Sequence, residues 1–198
     1  MVLCTLNIIQ VSYSMNATTG GGVLHGKFKR WNKDGRLLFE TVFVNGTGTD
    51  IEYYKNGRLR WEKNYKNGAL EDISREWYEN GQLKFEKNYK EGVRDGTQRS
   101  WDENGQLQFE YHYTYQINAG EREKNKLLGY VLYGEHLHGH QRGWHKNARL
   151  SFELHYNKGV RDGLQREWSE NGHLRFASVY DEGLLVNREK GHTGELWP

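Results

Sequence analysis

The sequence predicts an all-β fold, an elongated antiparallel β-meander of tandem β-hairpin repeats in a single-layer twisted sheet. Two observations carry this prediction. A short unit recurs, as WYENGQLKFEKNYKEG from Trp77, WDENGQLQFEYHY from Trp101 and WSENGHLRFASVYDEG from Trp168. After the turn in each unit, apolar residues alternate with period two, which is typical of a strand with one buried face. We therefore expect about fourteen strands.

The composition fits a thin sheet better than a thick core. Of the 198 residues, 35% are hydrophobic and 27% are charged. The net charge of +2 comes from interspersed charges of both signs, so we expect neither nucleic-acid nor anionic-membrane binding. The single cysteine, Cys4, excludes an internal disulfide framework and suits a reducing compartment, so we expect a cytoplasmic protein. No apolar run reaches the length of about 18 residues that a membrane span needs.

The repeats divide the chain into three parts. Residues 1–25 are expected to form an N-terminal capping strand or leader, and Met15 is a second candidate start. A signal segment is the alternative that we disfavour, because the opening stretch lacks a basic start and a clean cleavage site. Residues 26–183 are predicted to be an array of about seven hairpins, and residues 184–198 a C-terminal capping segment.

The turn of each unit is marked by a dipeptide with a fixed place in the repeat. These dipeptides are Asp34-Gly35, Asn56-Gly57, Asn80-Gly81, Asn104-Gly105, Asn147-Ala148 and Asn171-Gly172. The largest gap, from the fourth to the fifth, is close to two periods, and a degenerate copy through Asn125-Lys126, with Leu128 and Tyr130 in its apolar positions, would fill it. Residues 114–138 are therefore predicted to be an irregular unit. Ala148 replaces the usual glycine, so this turn must either accept a positive φ or change shape.

Parity predicts a three-residue loop at each of these turns. In a two-residue loop, Trp101 would share no face with Leu107. With a type I turn closed by a left-handed Gly105, Trp101 opposes Leu107 and Arg99 opposes Phe109. The same register predicts the charge pairs Glu52–Arg60, Glu76–Lys84 and Glu167–Arg175 on the other face. A second turn with a YKNG-like sequence follows each hairpin and makes the chain a continuous meander.

Two aromatic sets recur along the array. We interpret the first as a structural ladder that stacks across the sheet with the Leu and Phe rows, and it comprises Trp31, Tyr53, Trp77, Trp101, Trp144 and Trp168. The second set ends each hairpin, and we predict that it contacts a partner; it comprises Tyr65, Tyr89, Tyr113, Tyr156 and Tyr180. A single-layer sheet has nothing obvious to cover its apolar face, and exposed aromatic rows mark partner surfaces.

Hairpins of this length, with a Tyr/Trp-x-x-Asn-Gly-x-Leu core and a trailing Tyr-x-x-Gly, resemble the MORN repeat variants. The string ENGQLKFEKNYKEG, which ends at Gly92, is the most specific part of the resemblance. Such repeats are typical of the bacterial YwqK-type antitoxin components. The resemblance implies the hairpin fold and a scaffolding or partner-binding role, and it brings no catalytic residues.

Residues with catalytic or metal-binding chemistry are few. We predict no catalytic residue, no cofactor and no metal site. The recurrent Glu40, Glu62, Glu86, Glu110 and Glu153 occupy one equivalent strand position, which favours a surface ladder over an acid–base pair. The stretch from His136 to His145 is the strongest alternative. His136, His138 and His140 alternate in sequence as metal ligands on one strand would, although Gly139 argues against a continuous strand there.

The function that we expect is that of a non-enzymatic repeat module for protein binding or scaffolding, with an antitoxin or immunity partner as its most specific form. The partner is another protein, without nucleic acid, and the sequence does not fix the oligomeric state. A metal-binding protein or enzyme centred on His136–His145 is one alternative. A membrane-surface scaffold is another.

Overall fold

The computed structural model describes residues 24–31, 35–116 and 134–190, and every regular element in these ranges is a β-strand. The strands are β1 (Gly26–Trp31), β2 (Leu37–Phe43), β3 (Gly48–Tyr53), β4 (Leu59–Lys66), β5 (Ala69–Leu70), β6 (Asp72–Trp77), β7 (Leu83–Lys90), β8 (Val93–Trp101), β9 (Leu107–Gln116), β10 (Gly134–Leu137), β11 (Gly139–Trp144), β12 (Leu150–Asn157), β13 (Val160–Arg161), β14 (Gly163–Trp168), β15 (Leu174–Asp181) and β16 (Leu184–Lys190). The predicted all-β class is confirmed. Within these ranges no helix is long and apolar enough to cross a bilayer.

Strands that follow one another along the chain also lie side by side in space. Strands β1 and β2 form a two-stranded sheet, and the others form a fourteen-stranded sheet with the path β3-β4-β6-β7-β8-β9-β11-β12-β14-β15-β16. The short strands β5, β10 and β13 pair beside this path with β4, β9 and β12. Every pairing is antiparallel. The predicted meander of hairpins is therefore confirmed as an open twisted sheet.

The predicted three-residue loop is present at the turns with a described backbone. Between β8 and β9 the Gly105 amide donates to the Asp102 carbonyl at 3.0 Å, and the Asp102 amide donates to the Gln106 carbonyl at 2.9 Å. The φ of Gly105 is 83°, in the left-handed region where glycine has no Cβ penalty. Ala148 keeps the same loop and takes a φ of 63°, so this turn accepts the strain.

The asparagine of the turn dipeptide bonds within its own turn and to the next one. The Asn80 side-chain oxygen accepts from the Gln82 amide at 2.9 Å, and its side-chain nitrogen donates to the Glu103 carbonyl at 2.6 Å. Asn56 and Asn147 make the equivalent pairs of bonds. The Asn-Gly motif therefore closes the hairpin and also connects neighbouring hairpins along this edge of the sheet.

The opposite edge uses two-residue turns. Glu91 and Gly92 both have positive φ values, 50° and 86°, as a type I′ turn requires. The Gly92 amide donates to the Leu70 carbonyl at 2.8 Å, which joins this turn to the preceding one. The second turn that the sequence predicts after each hairpin is thus confirmed here, and the backbone bonds between turns continue the sheet at its rim.

Strands β9 and β11, on either side of the predicted irregular unit, are neighbours in the sheet. In this pair Arg142 lies opposite Glu110 and Gly143 opposite Phe109. Strand β10 returns along the end of β9, where a short strand such as β5 stands in the regular units. The predicted copy through Asn125-Lys126 lies outside the described residues and stays a prediction. Six hairpins of the predicted array pair in the described ranges.

The chain buries few side chains completely. Among the described hydrophobic residues only Phe43, Val93 and Ala177 are buried, whereas the apolar residues of β16 are well exposed. Such a distribution is that of a single layer, over which the described residues place no second sheet or helix. Most of the predicted N-terminal cap, residues 1–23, and residues 191–198 of the predicted C-terminal segment lie outside the described residues.

Candidate functional site

The two faces of the sheet differ in chemistry, and a β-bulge in each hairpin decides which residues share a face. In β8–β9, Trp101 pairs with Leu107 as predicted, but the register then shifts by one residue. Ser100, not Arg99, lies opposite Phe109, and Arg99 lies opposite Glu110. The predicted pairing of Arg99 with Phe109 is therefore wrong, because parity from the turn alone cannot include the extra residue of a bulge.

The bulge separates the tryptophan row from the phenylalanine row. Trp101 is two residues from Arg99 on β8 and shares its face, and the Arg166 guanidinium lies 5.5 Å from the Trp168 ring. The prediction that the Trp ladder stacks on one face with the Phe row is thus wrong. We name the side with Arg99 the ladder face, and the side with Phe109 the aromatic face.

The aromatic face carries most of the apolar side chains that follow the bulges. Its inner row consists of Phe39, Trp61, Phe85, Phe109, Phe152 and Phe176, and its outer row of Phe43 and the five predicted contact residues Tyr65, Tyr89, Tyr113, Tyr156 and Tyr180. The register pairs Tyr113 with Gly96 and Tyr180 with Gly163. The Arg94 guanidinium lies over the Tyr113 ring, 4.3 Å from its centroid, and donates to its hydroxyl at 3.0 Å. These tyrosines are half-buried, so the row remains a prediction for partner contact.

Buried glutamines on the aromatic face join adjacent hairpins, a role that the sequence reasoning missed. Gln141 and Gln165 are each only 1% exposed. The Gln141 side-chain oxygen accepts from the His112 amide at 2.8 Å, while its nitrogen donates to the His112 carbonyl at 3.0 Å. Gln98 donates to the Asn88 carbonyl at 2.8 Å. The signal was present in a recurrent Gln-Arg dipeptide, whose glutamine stands three residues before Trp101, Trp144 and Trp168.

A cluster of three rings occupies the middle of the aromatic face. Phe109 and Tyr111 stack with centroids 5.7 Å apart, and Phe152 lies 6.4 Å from each of them. Gly143 lies opposite both phenylalanines, and a Cβ there would overlap the Phe152 ring. Burial raises the pKa of Tyr111, with smaller contributions from Tyr113 and Tyr156. Phe109 nevertheless keeps 40% of its surface exposed, so the cluster presents aromatic surface to solvent.

The ladder face carries a continuous row of alternating charges. The N–O distances along it are 2.9 Å for Arg75–Glu86, 3.5 Å for Arg99–Glu86, 2.8 Å for Arg99–Glu110, 3.6 Å for Arg142–Glu110, 2.9 Å for Arg142–Glu153 and 2.8 Å for Arg166–Glu153. Glu86, Glu110 and Glu153 therefore each contact two guanidinium groups. Burial alone would raise the pKa of Glu153, but the hydrogen bond and charge of Arg142, with Arg166, lower it overall. The charges neutralise one another, as a structural ladder requires.

The predicted charge pairs within hairpins are only partly present. Lys84 and Glu76 form an ion pair at 3.2 Å, as predicted. Glu52 forms its ion pair with Arg30 of β1, not with the predicted Arg60. Glu167 lies opposite Phe176 because the register shifts by one residue before Trp168, so the predicted register with Arg175 is wrong.

The histidine stretch does not assemble a metal site among the described residues. Strand β10 ends at Leu137 and β11 begins at Gly139, which has a φ of 70°, so the strand is interrupted at His138. His140 instead meets His155 across the hairpin, with ring centroids 4.8 Å apart. His145 stands in the next turn, and its Nε2 lies 2.9 Å from the Trp168 carbonyl. The contacts of His140 and His145 thus join two strands and two hairpins, respectively.

Three segments of the chain match the MORN repeat variant family, at residues 73–91, 94–115 and 161–182. These segments cover the hairpins β6–β7, β8–β9 and β14–β15, in which the bulge, the three-residue loop and the Gln or Ser of the aromatic face recur. Such repeats are non-catalytic protein- or membrane-binding modules in general. A comparison with curated proteins gives no match.

Proposed function

We propose that this chain is a non-enzymatic protein-binding module that holds a partner protein against its aromatic face. The observation that carries the proposal is the open cluster of Phe109, Tyr111 and Phe152, on a face that no second layer covers in the described ranges. Aromatic side chains contribute large contact area at a small entropic cost, and they dominate the energetics of many protein interfaces. The ladder face offers less for recognition, because its charges are already matched within the sheet.

The chemistry of the partner follows from this asymmetry. The rings around Phe109 fit aliphatic or aromatic side chains, and the cationic groups over Tyr113 and Tyr180 fit the polar rim of such an interface. Occlusion of an active surface is then the mode of action that we propose, as for an antitoxin or immunity protein bound to its toxin. We place this pair in the cytoplasm, in keeping with the single cysteine.

The test compares two apolar side chains of equal exposure on opposite faces. Phe109 on the aromatic face and Leu164 on the ladder face are each 40% exposed. A photo-crosslinking residue at position 109 should capture one discrete protein in the native cell, and the same residue at position 164 should not. The captured protein is then purified, and its dissociation constant is measured by calorimetry with the unlabelled chain.

Serine variants at the same two positions measure how much each side chain contributes to the affinity for the captured protein. We expect Phe109→Ser to weaken binding by about tenfold or more and Leu164→Ser to leave it nearly unchanged, because only the first removes interface area. Substitutions of Tyr89 and Tyr113 should weaken binding while the fold survives. Equal losses for both serine variants, or loss only on charge reversal at Glu76 and Lys84, would show that the wrong face has been chosen. Binding of the chain to lipid vesicles, abolished by Phe109→Ser, would favour the membrane-surface alternative.

A further inference from the structure

The first hairpin and the rest of the sheet meet without the usual pairing of neighbouring strands. Strands β1 and β2 form their own sheet, although β2 continues into β3 through a tight turn at Asn45-Gly46. Between this hairpin and β3–β4 lies a cavity of about 590 Å³. Cavities of this size bury small organic ligands. We name it the junction cleft.

Aromatic rings form the walls of the junction cleft. Phe28 and Phe43 meet edge to face with centroids 5.3 Å apart, and Tyr65 lies 6.2 Å from Phe43. Phe39 and Trp61 complete the lining from β2 and β4. Ring faces carry negative charge density, so such walls favour an apolar body with a positive charge.

The cationic side chains that line the junction cleft already have carboxylate partners. Lys29 binds Glu40 at 3.0 Å, and Arg30 forms an ion pair with Glu52 and donates to the Ile51 carbonyl at 3.0 Å. The hydrogen bond from Lys29 is the main reason why the pKa of Glu40 lies below its ordinary value. A free anion would have to compete with these carboxylates.

Asp50 is the exception among these charges. Its carboxylate accepts a hydrogen bond from the Trp61 indole nitrogen at 3.0 Å, and in the described part of the chain it has no ion pair. Its register partner Lys63 instead places its ammonium 4.6 Å from the centroid of the Trp61 ring. Burial raises the pKa of Tyr65, and the negative charge of Asp50 adds to that effect. The negative charge of Asp50 therefore acts on groups that line the junction cleft.

The position of Asp50 in the repeat makes this carboxylate unusual. It stands two residues after Gly48, at the place that Ser74 takes in the next hairpin and that Gln98, Gln141 and Gln165 take, two residues after a left-handed glycine, in the later ones. In those hairpins the amide donates to the backbone of the preceding strand and so occupies the gap between hairpins. A carboxylate cannot donate to a carbonyl, so Asp50 cannot make the equivalent bond to the preceding hairpin.

We propose that the junction cleft binds a small organic ammonium ion, with its cationic head on Asp50 and its apolar body among Phe28, Phe43 and Tyr65. The ammonium supplies the donors that Asp50 lacks, and the aromatic walls shield the resulting ion pair from water. The charged ends of Arg60 and Lys63 both lie 4.6 Å from the centroid of the Trp61 ring, so one ring of the cleft already attracts cations. This site is separate from the cluster around Phe109 on which the proposed protein-binding function rests.

The test uses phenethylammonium and its neutral counterpart phenethyl alcohol as probes of the full chain. The readout is the indole N–H resonance of Trp61 in a proton–nitrogen correlation spectrum, assigned by its loss in Trp61→Phe. We expect phenethylammonium to shift this resonance saturably at millimolar concentration and phenethyl alcohol to bind about tenfold more weakly or not at all. An equal response to both probes, or no saturable shift, overturns the proposal.

Three variants locate the charge that recognises the probe. Asp50→Asn keeps an acceptor for the indole and should weaken phenethylammonium binding by about tenfold. Glu103→Gln makes the same charge change in an exposed turn and should leave binding unchanged. Lys63→Met removes the nearest competing cation and should tighten binding. Unchanged affinity in Asp50→Asn, or equal losses in Asp50→Asn and Glu103→Gln, overturns the assignment.

Discussion

The junction between β2 and β3 and the junction between β9 and β11 join hairpins of the same kind in different ways. At the second, Gln141 both accepts from and donates to the backbone of His112, and the sheet continues through Arg142 opposite Glu110. At the first, the equivalent side chain is Asp50, and the sheet divides. The difference teaches that an amide can both accept from and donate to a neighbouring strand, whereas a carboxylate can only accept; the pairing of β4 with β6, where Ser74 takes this place, shows that a sheet can also continue without the amide.

The largest effect should come from breaking the continuous junction. Gln141→Leu leaves the His112 amide without its side-chain acceptor and removes one of two donors to the His112 carbonyl, which still accepts from the His138 amide at 2.9 Å, so we expect the free energy of unfolding to fall by about 2–3 kcal/mol. Urea denaturation followed by far-ultraviolet circular dichroism measures this loss. Gln82→Leu, at an exposed turn position, is the matched control and should change stability by no more than about 0.5 kcal/mol. Similar midpoints for the two variants would refute the bridging role of Gln141.

The next effect concerns the divided junction, where the backbone approaches closely. A Cβ at Gly48 would lie 2.8 Å from the Val42 carbonyl oxygen and 2.9 Å from the Phe43 ring. Gly48→Val should therefore lower stability by about 1–3 kcal/mol and loosen the first hairpin selectively. Hydrogen exchange should accelerate in residues 37–43 and remain unchanged in β8–β9. Uniform acceleration through the sheet would mean that the first hairpin does not open by itself.

A smaller effect tests the backbone bend with positive φ that lies two residues before the bridging position of Gln98, Gln141 and Gln165. Gly96, Gly139 and Gly163 bend their strands with positive φ, and at the matching place Asp72 does so with a φ of 59°. Asp72→Gly relieves this strain, so we expect a gain of about 0.5–1 kcal/mol in the free energy of unfolding. The reciprocal change, Gly96→Asp, should cost a similar amount. A loss of stability in Asp72→Gly would show that its side chain contributes more than its backbone strain costs.

The smallest effect concerns the row of charges on the ladder face and not the junctions between hairpins. Because the folded state lowers the pKa of Glu153, its contribution is complete above the ordinary value of 4.5 and is lost as pH falls through the lower folded pKa. Glu153→Gln should therefore reduce stability near neutral pH and differ progressively less from the parent at acidic pH. Thermal melts across this pH range measure the convergence. A difference that is independent of pH would assign the loss to packing instead of charge.

The sequence alone determined the features that depend on neighbouring residues. The recurrence of Asn-Gly, the left-handed Gly105 and the pairing of Trp101 with Leu107 all follow from turn chemistry and short-range parity. The antiparallel meander followed as well, because each unit is too short to place its apolar face anywhere except beside the next unit. Three segments of the chain then match the MORN repeat variant family.

The tertiary structure decided everything that requires a partner far along the chain. A period-two pattern places Leu107 and Phe109 on one face, and only the bulge, which adds a residue to one strand, moves Phe109 to the face opposite Trp101. The bond from Gln141 to His112 joins different hairpins, so the recurrent Gln-Arg dipeptide marks the glutamine but does not specify its partner. The junction cleft depends on both the bulge and the contacts between hairpins. Asp50 acquires its aromatic surroundings only where two hairpins fail to pair.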